Sequence, residues 1–88
     1  MKLSDDFLCR VVCGETLLIP VGEKTKDYNG IFTFTGTGAF LLNALHEGMS
    51  EDAAAKALAD EFETDIDTAK ADTREFFNQL AQFGILIE

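Results

Sequence analysis

Eighty-eight residues with an apolar share of 47% allow one hydrophobic core, so a single domain over residues 1–88 is expected. A formal net charge of −9 repels phosphates and argues against a nucleic-acid partner; eleven acidic residues lie from Glu47 onward, against Lys56, Lys70 and Arg74. No apolar run approaches the ~18–20 residues that cross a bilayer, and "MKLSDDFLCR" has acidic residues where a signal peptide needs its apolar region, so a cytoplasmic chain without membrane contact is expected.

"FLCRVV" and "TLLIP" are rich in β-formers and are separated by "CGE", whose glycine can take a hairpin turn. Pro20, the only proline, closes the second run because it donates no ladder hydrogen bond. A polar loop follows, bounded by the turn-favouring pair Asn29-Gly30. "IFTFT" then reads as a third strand, with Ile31, Thr33 and Thr35 on one face and Phe32 and Phe34 on the other.

Helices fill the remainder. Thr35 is placed to cap a first helix from about Gly36 to Glu47, with Phe40, Leu41, Ala44 and Leu45 as its apolar face. Gly48 ends it, and Ser50 caps the next helix, "SEDAAAKALADEF", whose Glu51 and Asp52 suit a first turn. A third helix starts near Asp65 or Asp67 and runs to about Phe83, where Gly84 supplies a left-handed stop. Its expected buried stripe is Ile66, Ala69, Thr73, Phe76, Leu80 and Phe83. "ILIE" can add a short extended segment. The fold class is therefore α+β, an N-terminal antiparallel sheet of three strands followed by three helices.

Phe77 does not sit at the centre of that stripe, because adjacent helical residues point about 100° apart. With Lys70, Arg74 and Ala81 it forms one shoulder of the helix. That shoulder is either the edge of a wide core face or a groove wall that mixes apolar and cationic groups.

Catalytic chemistry has little support. His46, Cys9 and Cys13 are the only obvious reactive candidates, and they form no convergent set. The C-x3-C pair lacks two further ligands for zinc, and "GTG" lacks the length and lysine of a phosphate loop, so neither metal nor cofactor is expected. A carrier protein would need an aspartate before Ser50 and has no place for three strands. A winged-helix transcriptional regulator fits the order of elements and is the alternative reading. The acidic joint "EFETDID", however, stands where a DNA-reading helix needs cations.

From Phe7 to Glu88 the order of features resembles the PqqD-like family. A hairpin ending at "LLIP" precedes "GIFTFTGTGAFLLNAL", where the family has a Leu-Asn-x-Thr-(Ala/Gly) handover into a helix. "EGMSEDAAAKALADEF" and "DTAKADTREFFNQLAQFGILIE" follow, with Asp72, Phe76, Leu80, Gly84, Ile85 and Leu86 matching the family's ending. Phe34-Thr35 replaces Leu-Asn, and Leu41 or Leu42 stands where a tryptophan is common.

The resemblance implies a winged helix-turn-helix that recognises the leader of a ribosomally made precursor peptide, without catalysis, and presents it to a modifying enzyme, often a radical S-adenosylmethionine protein. The leader would add as a strand beside the third strand, in a groove closed by the third helix. By position Ile31, Phe32, Thr33, Phe34 and Thr35 would be the backbone rail. Lys70, Arg74, Phe77, Asn78 and Ala81 would be the opposite wall, with Phe77 as apolar anchor and Arg74 able to pair a leader carboxylate. The same exposed strand could pair with its own copy, giving a homodimer.

Overall fold

The hairpin forms because "FLCRVV" and "ETLLIP" flank two residues that both accept a left-handed backbone. A computed structural model of the chain describes residues 2–26 and 30–87. In it β1 spans Lys2–Leu3, β2 Phe7–Val12 and β3 Glu15–Pro20, with β2 and β3 paired antiparallel from Phe7↔Pro20 to Val12↔Glu15. Cys13 and Gly14 turn the chain with φ of 50° and 80°, the positive pair that matches the right-handed twist of two strands. Along β3 the buried residues are Thr16, Leu18 and Pro20, the alternation expected of a half-buried strand.

A 3-10 turn covers Gly22–Lys26. The expected Asn29-Gly30 turn falls partly on Asn29, outside the described residues. The third strand of the sheet, β4, is Phe32–Phe34, one residue shorter at each end than expected. It pairs antiparallel with β3 through Thr16↔Phe34, Leu17↔Thr33 and Leu18↔Phe32. The sheet order β2-β3-β4 leaves one edge of β4 without a neighbouring strand among the described residues.

Helix α1 is Gly36–His46, α2 Glu51–Phe62 and α3 Ile66–Gln82. Thr35 holds the N-cap position of α1 with extended backbone, but its side chain makes no cap bond, so its capping role is corrected. Entry into α1 rests on Gly36 instead, whose φ of +59° strains any residue with a Cβ. Ser50 caps α2 as expected, its Oγ accepting from the Ala53 N–H at 3.1 Å. Asp65 caps α3 by accepting from the Thr68 N–H and hydroxyl at 2.9 and 2.8 Å. The bond from the Thr68 N–H, then that from its hydroxyl, holds the Asp65 carboxyl below the usual aspartate range. Gly84, at φ +74°, stops α3, and β5, Leu86–Ile87, returns to pair with β1. That second, two-stranded sheet is an addition to the expected fold.

The winged helix-turn-helix arrangement is present: a three-stranded antiparallel sheet followed by three helices. The core joins Phe7 and Leu18 of the hairpin to Leu41, Leu42 and Leu45 of α1, Ala54 and Leu58 of α2, and Phe77 and Leu80 of α3. Thr16, fully buried, donates its hydroxyl to Asn43 Oδ1 at 3.0 Å and so ties β3 to α1. Thr73 is also fully buried, yet its Oγ1 has no hydrogen-bond partner among the described residues. An unsatisfied buried hydroxyl costs about 1–3 kcal/mol. Replacing it in near-isosteric form, Thr73→Val, is expected to raise the urea-unfolding free energy by about 1 kcal/mol. A clear loss of stability would mean that the hydroxyl is bonded after all.

Candidate functional site

Alternation in "IFTFT" puts both phenyl rings of β4 on the face that looks toward α3. Phe34 meets Phe76 edge-to-face with ring centroids 5.8 Å apart, and Phe32 meets Phe83 at 6.2 Å. The later strand residue faces the earlier helix residue, so β4 and α3 run side by side in opposite senses. Phe32 also reaches Phe7 at 6.3 Å, which anchors the strand to the hairpin. Thr33 points to the exposed side. The gap between strand and helix is thus floored by aromatic rings, with Phe83 50% and Ile31 55% exposed at one end.

At the other end, Gly38 of α1 lies beside the Phe34–Phe76 pair at ordinary packing distance. A Cβ there would lie 3.6 Å from Phe76 Cε1 and 3.7 Å from Phe34 Cδ1. Beside this junction a cleft of about 170 Å³ opens between the first turn of α1 and α3. Leu41 and Phe76 form its floor, and Asp72, Glu75 and Gln79 its α3 rim.

The structure places the expected wall residues differently. Phe77 is only 2% exposed and belongs to the core, so its role as a surface anchor is corrected. The buried stripe of α3 is Ala69, Thr73, Phe77 and Leu80, while Phe76 is half-buried and Ile66 and Phe83 are exposed. The reason is rotational. The stripe is turned toward Phe77, which leaves Phe76 on the shoulder that faces β4. Lys70, Arg74, Asn78 and Ala81 are exposed, and they lie about 120–160° around the helix from Phe76. Arg74 Nη2 instead reaches Glu51 Oε2 at 3.2 Å, across to α2. Such a surface pair stabilises by about 0–1 kcal/mol.

The strand residues do converge on the helix side, but on Phe76 and Phe83 rather than on the cationic shoulder. No local signal marked this pairing, since even Gly38 beside it would carry a Cβ in ordinary van der Waals contact with the Phe34 and Phe76 rings.

Burial pushes the Cys9 thiol up, against a smaller opposing pull from Arg10, so Cys9 keeps its proton and is a poorer nucleophile. Among the described residues no three His, Cys, Asp or Glu cluster as a metal site would require. Among them also, no helix is long and apolar enough to cross a membrane.

The sequence profile of the family described as Coenzyme PQQ synthesis protein D (PqqD) matches residues 16–86. The chain belongs to the PqqD family. Its match runs from β3 to β5 and so includes β4, the Gly38 junction and all of α3. Among solved structures, one described as TbiB1 in complex with the TbiA(beta) leader peptide is similar to this member of the family. It aligns with a TM-score of 0.84 at 24% identity, over 98% of this chain and 94% of that one. At that identity the likeness speaks for the fold. No curated protein matches the chain in sequence.

The two adjacent phenylalanines of α3 separate core from groove. Phe77→Ala is expected to cost about 3–5 kcal/mol of unfolding free energy, the range for a buried phenyl. Phe76→Ala, half-buried, is expected to cost less than about 2 kcal/mol. Urea unfolding of both variants checks this, and equal or reversed losses would contradict the rotation described above.

Proposed function

We propose that this chain is a non-catalytic module that binds the leader of a ribosomally synthesised precursor peptide by strand addition. The observation that carries the reading is the open edge of β4 lying beside an aromatic-floored gap to α3. Membership of the PqqD family supports it, as does the similar fold of a protein solved with a leader peptide. An edge strand recognises any extended backbone, and side chains spaced about 6.6–6.8 Å apart along the added strand fall into pockets beside it.

In this reading residues 31–35 supply the rail, and Phe76, Gln79 and Phe83 supply the wall that selects side chains. The module holds the precursor for a modifying enzyme, of the radical S-adenosylmethionine class, in the cytoplasm where the precursor is made. Self-pairing through β4 would occupy the same edge, so a homodimer of that kind and the peptide complex exclude each other.

The test is an anisotropy titration with labelled leaders of the precursor peptides encoded near this chain's gene, the place where such a precursor is expected. Phe76→Ala is expected to weaken binding about tenfold or more, as loss of an aromatic anchor does. Arg74→Ala, on the far shoulder of α3, is expected to leave affinity unchanged within about twofold. Failure of the wild type to bind any such leader would overturn the function. An effect of Arg74→Ala with none from Phe76→Ala would overturn the wall.

A further inference from the structure

Resting on the leader-binding reading, we infer that the cleft where α1 meets α3 takes a lysine or arginine side chain of the bound peptide, at one fixed position opposite the Phe34 end of β4. Its size sets the class of occupant. A cleft of about 170 Å³ falls below the range of about 300–1,000 Å³ typical of small-molecule pockets and suits a single side chain. Its place sets the register. Gly38 and Phe76 line the cleft and Phe34 packs beside both, so the cleft lies next to the Phe34 end of β4, within reach of a long side chain from a strand laid there.

Chemistry sets the charge. Asp72 and Glu75, three residues apart on α3, share one side of the helix and rim the cleft together. Neither carboxylate has an ion-pair partner among the described residues, and Arg74, between them in sequence, is committed to Glu51 on the other side. The N-terminus of α1 contributes about half a positive charge, too little to offset two carboxylates. An acidic side chain would be repelled. A long cationic one can lay its methylene stem on Leu41 and Phe76 and carry its head to the rim, the arrangement that amphipathic side chains adopt at an apolar surface with a polar edge. The Phe76 ring adds attraction for a cation. At Gly38 a Cβ would already touch the Phe76 and Phe34 rings at 3.6 and 3.7 Å, so a side chain longer than alanine there would crowd the cleft wall.

A displayed library of random linear peptides, selected on the immobilised full chain and on the Asp72→Asn/Glu75→Gln double variant, tests this. Wild type is expected to enrich lysine or arginine at one position relative to the apolar anchors, and the double variant to lose that enrichment. A peptide selected on wild type is expected to bind the double variant about three- to tenfold more weakly at low salt, with the difference shrinking as salt rises. Changing that basic residue to glutamine should weaken binding to wild type by a similar factor and leave binding to the double variant unchanged. Selected peptides with no fixed basic position, or additive losses in that cycle, would overturn the inference while leaving peptide binding intact. Selection of no peptide at all on wild type would overturn both.

Discussion

The edge-to-face contact of Phe34 on Phe76, made beside Gly38, is the constraint from which the rest of the site follows. It sets the distance between β4 and α3 with aromatic rings at 5.8 Å, so the gap has an apolar floor that a guest can use. It also pins the end of a strand only three residues long, which would have little stability as an isolated ribbon. Thr16 completes the fixation. Its backbone lies opposite Phe34 in the ladder, and its buried hydroxyl reaches Asn43, so β3, β4 and α1 hold one another in a single register.

The two shoulders of α3 divide the labour of the helix. One packs Phe77 and Leu80 into the core and carries Arg74 across to α2, where Ala54 and Ala55 are small enough to let the helices approach closely. The other presents Phe76 and Phe83 to β4 and carries Asp72, Glu75 and Gln79 beside the cleft. Under the proposed function, core stability and peptide contact fall to neighbouring residues on one helix. A chain of this size has a folding stability of only about 5–10 kcal/mol, so a binding wall that removed large side chains from its core would weaken it seriously. Separating the two roles by one position avoids that conflict.

Much of this was legible in the sequence. Two β-former runs around Gly14 marked the hairpin and alternation the third strand, Ser50 and either Asp65 or Asp67 marked helix starts, and Gly48 and Gly84 marked helix ends, because each reflects a local backbone requirement. The rotation of α3 was not legible. Phe76 and Phe77 both fit a three-and-four spacing, and the choice between them depends on how α3 meets the other helices, which no local pattern encodes. Ile66 and Phe83 joined the expected stripe by spacing, yet they lie at the helix ends, where less of the core covers them. Thr35 has the right residue type for a cap and the right position, but the backbone there turns through Gly36 and the side chain forms no bond. The pairing of β1 with β5 rests on two residues from each end of the chain, too few for any periodic signal.

The central claim is that β4 is a template for another chain's backbone. Amide hydrogen exchange across residues 32–34, with and without a saturating leader peptide, tests it most directly, because strand addition must bond backbone groups on the β4 edge. The account predicts that exchange in β4 slows on binding, together with amides of the peptide itself. Protection that appears on α3 or elsewhere while β4 exchanges as before would contradict it.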